Sequence, residues 1–172
     1  MRIAITRGVS PNIKHCELTY IEREAIDVDI ARRQHRLYEG ILRDLGCQVE
    51  RLPEDSDFPD SVFVEDIAVV LDEIAIITLP GAPSRRGERS SIERALAPYR
   101  LVERIEAPGI LDGGDVLIVA KDIYVGLSTR SNAEAVNQLR GLVTDHGYRV
   151  MEVEFHECLH LKSAVTAVSD DT

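Results

Sequence analysis

Leu111-Asp112-Gly113-Gly114-Asp115-Val116-Leu117-Ile118-Val119-Ala120-Lys121-Asp122-Ile123-Tyr124-Val125-Gly126-Leu127-Ser128-Thr129-Arg130 opens acidic, runs through two short apolar segments split by a charged pair, and ends basic. The same order stands at Glu65-Asp66-Ile67-Ala68-Val69-Val70-Leu71-Asp72-Glu73-Ile74-Ala75-Ile76-Ile77, followed by Arg85 and Arg86. One unit is therefore used twice. Upstream the match extends to Val49-Glu50-Arg51-Leu52 against Val102-Glu103-Arg104-Ile105, and downstream to Ser90-Ser91-Ile92-Glu93 against Ser131-Asn132-Ala133-Glu134. Each unit reads as strand, strand, turn, strand, then helix, about 50 residues long.

Composition places this repeat in an ordinary globular chain. The 172 residues are 44% hydrophobic, enough for one domain-sized core. A net charge of −10 argues against nucleic acid or an anionic membrane as partner, because both are polyanions. Cys16, Cys47 and Cys158 show neither CxxC nor finger spacing, which suits reduced thiols in a cytoplasmic protein without zinc or another cofactor. Every long apolar run is interrupted by charge, as at Asp72-Glu73 and Lys121-Asp122, so neither a signal peptide nor a membrane span is expected.

Taken in order, Arg2 to Thr6 reads as a first strand, and Gly8, Ser10, Pro11 and Asn12 begin an irregular loop that lasts to about Glu24. A loop of this length suits a lid, with Leu18 and Tyr20 as inward anchors. From Asp27 the apolar positions Ile30, Leu37, Tyr38, Ile41, Leu42 and Leu45 predict a helix packed on that face and capped at Gly46. Cys47 to Leu52 is a strand, and Ser61 to Leu71 with Glu73 to Leu79 a hairpin buried on both faces. Ser90 with Glu93, and Ser131 with Glu134, have the spacing of helix capping boxes.

A third unit begins at Tyr148 and runs through His160 and Ala164 to Val168, ending at Asp170-Asp171, the counterpart of the two hairpin turns. A strand at this place would be left beside an unpaired edge, a hazard that natural chains avoid. The expectation is a single α/β domain over 1–172, incomplete at its C-terminus: 1–46 as strand, lid loop and helix, units at 47–100 and 101–146, and a truncated unit at 147–172. The C-terminal remainder of the same protein would then be its partner.

If the units surround a pseudo-symmetry axis, equivalent positions converge near it. The first position of the middle strand is Glu65-Asp66, then Asp112 to Asp115, then His160, while Arg85 or Arg86 and Arg130 follow the hairpins. Carboxylates at the base and arginines at the mouth suit a ligand with a cationic head and an anionic tail, such as an arginine-like amino acid. His160 titrates near neutrality and is the candidate general acid/base, with Asp112 as the carboxylate that fixes its tautomer.

Five ordered motifs now carry a resemblance: Asp60-Ser61-Val62-Phe63-Val64-Glu65-Asp66, Pro80-Gly81-Ala82-Pro83-Ser84-Arg85-Arg86, Leu111-Asp112-Gly113-Gly114-Asp115, Gly126-Leu127-Ser128-Thr129-Arg130 and His160-Leu161-Lys162-Ser163. Together they resemble the dimethylarginine dimethylaminohydrolase family of guanidino-group-modifying enzymes. The resemblance implies a pentein-like α/β propeller of five units, of which this chain would hold roughly three. It also implies hydrolysis of N-methylated arginine to citrulline and methylamine or dimethylamine. Carried over, Asp60, Glu65 and Asp66 would hold the guanidinium beside Phe63, Arg85 and Arg130 the carboxylate and rim, and Leu18 the lid. His160 would be the catalytic acid/base with Asp112 as partner. The family's nucleophile is a cysteine near the C-terminus, and none of the three cysteines stands in its place, so this chain alone is expected to be inactive.

Plainer readings stand beside these. Glu65-Asp66 alone would be a solvated strand end, the glycines between Asp112 and Asp115 a tight turn, and His160 a hydrogen-bonded strand histidine. A deiminase acting on arginine or agmatine is a second enzyme reading, although paired arginines favour a substrate that keeps its carboxylate. A non-catalytic protein that binds arginine derivatives is a third.

Overall fold

The structure is a computed structural model that describes residues 2–169, and the chain divides into two compact units, 1–64 and 65–172. The expected end of the third unit at Asp170-Asp171 lies outside the described residues.

In the first unit, β1 (Arg2–Arg7) and β2 (Cys47–Leu52) pair in parallel, from Arg2 opposite Cys47 to Arg7 opposite Leu52. Parallel neighbours need a crossover, here α1 (Val28–Asp44). Asp27 starts the helix by accepting from the N–H groups of Asp29 and Ile30 at 2.9 and 3.0 Å, and Gly46 follows it with φ +85°, the left-handed conformation expected there. The packing of α1 departs from expectation. Leu37, Tyr38, Ile41 and Leu45 are all more than half exposed, whereas Glu39 is buried. Its carboxylate accepts from Thr6 Oγ1 at 2.9 Å and lies 3.2 Å from His35 Nε2, so a polar cluster takes the inward face of α1.

The loop before α1 is anchored differently too. Val9, Ile13, in a 3-10 turn (Ile13–His15), and Cys16 are its buried apolar side chains, while Tyr20 is exposed and Leu18 half-buried. Arg23 clasps the loop by donating to the carbonyls of Lys14 and Cys16, the latter at 2.6 Å.

The second unit holds the repeat. A hairpin of β3 (Ala68–Val70) and β4 (Ile74–Ile77) leads through α2 (Arg89–Leu96) to β5 (Leu101–Arg104), which joins β4 in parallel. The pattern recurs with β6 (Val116–Val119), β7 (Asp122–Leu127), α3 (Ala133–Val143) and β8 (Arg149–Glu154). Sheets therefore run across the boundaries of the sequence repeat: each hairpin pairs with the strand that opens the next unit. With the β1–β2 pair this makes three separate sheets among the described residues rather than one doubly wound sheet. Ile76, Ile105, Leu111, Ile123, Val136 and Leu139 are sealed in one apolar core, and burial of each side chain is worth about 1.5–3 kcal/mol.

Three local expectations are corrected. Neither serine opens its helix: Asn132 caps α3 by accepting from Ala135 N at 3.0 Å, and α2 grows directly out of a 3-10 turn (Pro83–Glu88). Of the first hairpin, only β4 is buried on both faces, since Val70 in β3 is exposed. Between 158 and 168 the chain forms no strand but a short α4 (Leu161–Ala164), with His160 at its N-cap. Val165 and Val168 are exposed, so the expected buried strand is absent there.

Candidate active site

Two 3-10 turns, Val64–Ile67 and Gly113–Asp115, stand immediately before β3 and β6 and present the acidic residues of the repeat. Asp66, Asp112 and Asp115 are all buried. Two glycines allow the turns to approach. A Cβ on Gly113 would lie 2.0 Å from the carbonyl oxygen of Glu65, and one on Gly114 would lie 2.7 Å from the His160 ring and 2.8 Å from Asp66 Oδ1. Any side chain at Gly114 would displace the imidazole, so both glycines are structural requirements here.

Asp66 accepts from Gly114 N at 3.1 Å through Oδ1 and from Arg85 at 2.6 Å through Oδ2. Arg85 is buried and paired a second time with Glu88, at 3.1 and 3.0 Å, a residue for which the sequence offered no signal beyond its place three after Arg85. Burial opposes the guanidinium charge, but Glu88 and then Asp66 hold it above its ordinary value. Between the two candidate arginines Arg85 points inward, while Arg86 donates to the carbonyl of Pro80. Arg85 thus lies at the base of the site. Arg130 sits 3.9 Å from Asp112 Oδ2, its backbone so close to Gly81 that a Cβ there would meet its Cα at 2.5 Å.

His160 is enclosed by carboxylates: Nε2 lies 3.7 Å from Asp66 Oδ1 and Nδ1 3.5 Å from Asp115 Oδ1. Burial disfavours its charge, yet Asp115, Asp66 and Asp112 outweigh burial and raise its affinity for a proton. Asp112 accepts from Gly81 N at 2.9 Å, and its second oxygen is buried without a hydrogen bond among the described residues. Burial lifts its pKa to about 6, against the opposing Gly81 bond. Asp66, Asp112 and His160 bring one donor atom each within 4.8 Å, but the positive charge at Asp66 is already supplied by Arg85. What the arrangement can do is exchange a proton near neutrality beside carboxylates that attract a cation.

Of the other expected site residues, Glu65 is exposed and pairs with Lys162. Leu18, Asp60 and Phe63 belong to the first unit. There both carboxylate oxygens of the buried Asp60 accept from Glu17 N at 3.1 Å, which ties down the loop that carries Leu18, and Phe63 is half exposed.

Residues 12–172 match the model of the eukaryotic N,N dimethylarginine dimethylhydrolase family. The chain belongs to that family. It is 44% identical over 170 residues to an N(G),N(G)-dimethylarginine dimethylaminohydrolase of Streptomyces coelicolor, covering 98% of this chain and 66% of the relative. A Pseudomonas aeruginosa protein of the same name is 42% identical over 137 residues, 78% of this chain and 54% of its own. The chain thus spans between half and two thirds of the length of these relatives. A solved Pseudomonas aeruginosa structure, a cysteine-to-serine mutant complexed with citrulline, matches with a TM-score of 0.92 at 36% identity, covering 98% of this chain and 68% of that one. The N-terminal domain of ArgZ, described as an arginine dihydrolase from cyanobacteria, matches with a TM-score of 0.78 over 89% of this chain and 58% of its own; at 14% identity it supports the fold alone. Among the described residues no helix is long and apolar enough to cross a membrane.

Proposed function

We propose that this chain carries the proton-transfer and cation-binding part of a cytoplasmic hydrolase that converts N-methylated arginine to citrulline and methylamine or dimethylamine. The observation that supports it most is His160 standing 3.7 Å from Asp66 and 3.5 Å from Asp115, beside an Asp112 whose pKa lies at about 6. A histidine so placed holds a proton more readily than a free imidazole, and it can give that proton up in the first half of the reaction and take one in the second.

In the proposed cycle the guanidinium carbon is attacked by a cysteine thiolate from the C-terminal remainder of the protein, since none of the three cysteines here is assigned that part. Protonated His160 gives its proton to the departing amine. The C–N bond breaks, and a covalent thiouronium remains on sulfur. Neutral His160 then takes a proton from the attacking water, and collapse of the tetrahedral adduct releases citrulline and the thiolate. Asp66 and Glu65, with Asp60 and Phe63, attract and flank the guanidinium, Arg130 meets the substrate carboxylate, and Leu18 covers the site. Arg85 serves this reading indirectly, because its guanidinium is held between Asp66 and Glu88. The propeller arrangement of the repeated units belongs to the same proposal.

The test is a chimera of this chain with the C-terminal third of the 44%-identical Streptomyces coelicolor relative, assayed for released amine. Dimethylamine from N,N-dimethylarginine is the expected product. Ammonia from arginine would favour a deiminase instead, and binding without either product would favour a non-catalytic protein.

A further inference from the structure

Asp115 stands beside His160 but is given no task in the reading above, yet it is fully buried, and its two oxygens accept three hydrogen bonds. Oδ2 accepts from Ser128 Oγ at 2.9 Å and from Ser131 Oγ at 2.7 Å; Oδ1 accepts from Leu161 N at 3.0 Å and lies 3.5 Å from His160 Nδ1. The two serines pass the contact on. Ser128 Oγ accepts from Arg130 N at 2.9 Å, and Ser131 Oγ accepts from Asp112 N at 3.1 Å.

The hydrogen bonds that Asp115 accepts among the described residues all come from neutral donors. A buried carboxylate held in this way is costly unless a positive charge lies close by. The repeat shows how its counterpart is treated. Asp66 likewise accepts one N–H from the following unit, Gly114, but its second oxygen takes the cation of Arg85. At Asp115 the corresponding oxygen is filled by the serines, while the arginine of that unit, Arg130, lies toward Asp112. The imidazole of His160 is the group next to Asp115 that can become cationic: its Nδ1 lies 3.5 Å from Asp115 Oδ1, and among the described residues it is buried without a hydrogen bond.

We infer that Asp115 is a positioning residue for this site, holding His160 by Nδ1 so that Nε2 is the atom presented for proton transfer, and keeping the segment of Arg130 and Asp112 in the same frame. This rests on the reading of His160 as the proton carrier. The charged groups that face the imidazole are Asp66 from the turn before β3 and Asp112 with Asp115 from the turn before β6; Arg85 reaches it only through Asp66.

The test needs no turnover, so its outcome is independent of the hydrolase reading. Nitrogen-15 spectra of the unaltered chain, with His160 identified among the five histidines by its loss in His160→Gln, should show neutral His160 carrying its proton on Nδ1. In Asp115→Asn the His160 titration should fall by about one pH unit or more, whereas Ser128→Ala, which keeps the charge, should leave it in place. A neutral His160 protonated on Nε2 would overturn the inference even if Asp115→Asn failed to fold. So would an unchanged titration in a folded Asp115→Asn.

Discussion

Asp112 is buried with one of its oxygens lacking a hydrogen bond among the described residues, and that imbalance decides what it does to stability. Its folded-state pKa of about 6 stands above the ordinary carboxylate value, so the native state binds the proton more tightly than the unfolded chain. Its contribution is most favourable at low pH and is lost as pH rises through about 6. His160, also raised, acts in the same sense: its contribution is complete below the ordinary imidazole value and is lost as pH climbs through the folded value. The variant Asp112→Asn should therefore melt at or above the wild-type temperature at pH 7.5, with the difference vanishing below about pH 4, as thermal denaturation at the two pH values would show. A melting temperature lower by several degrees at pH 7.5 would contradict this. Asp112, Asp66, Arg85 and His160 were legible in the sequence because the motifs repeat and carry charge. Which aspartate meets His160 Nδ1 was not, because a 3-10 turn of three residues decides the direction of each carboxylate.

Helices were legible as elements, and α2 and α3 were misread at their N-terminal ends. Ser-x-x-Glu occurs twice at the expected places, yet Ser131 is occupied by Asp115, and Ser90 lies inside α2. Asn132 does the capping, and the same Oδ1 also accepts from Ile110 N at 3.1 Å, tying α3 to the strand segment before the acidic turn. Asn132→Ala should lower unfolding free energy by about 0.5–2 kcal/mol, while Ser90→Ala should stay within about 0.5 kcal/mol of wild type. Urea titrations of both variants would check it, and equal losses would restore Ser90 as a cap. The stretch at α4 misled for another reason: alternation of small apolar residues is shared by strands and short helices, and His160 and Leu161 are drawn inward by Asp115, which no pattern along 158–168 records. In α1 the apolar period was read correctly, but its burial was not, because Glu39 finds Thr6 and His35 on the opposite side.

On the scale of the molecule, the α/β class and the internal repeat could be read from the sequence alone, since the acidic turn, hairpin and helix recur in the same order. The grouping of strands into sheets could not. β5 and β8 open their own sequence units but complete the sheets of the preceding ones, a pairing that depends on a crossover helix folding back rather than on any local signal.

The hydrogen bonds that cross from one unit to the next have a consequence in time. Gly114 N is held by Asp66 and Leu161 N by Asp115, each carboxylate belonging to the preceding repeat. Neither amide can meet solvent by fraying of its own turn; both must wait until the neighbouring repeat moves away. In deuterium oxide these two protons should persist far longer than expected of short turns, at rates close to those of the β4 and β7 amides. Should they vanish with the amides of the exposed loops, the repeats open one at a time. If they outlast those loops together, the repeated units breathe as one body, and the two amides become a clock for the opening of the whole site.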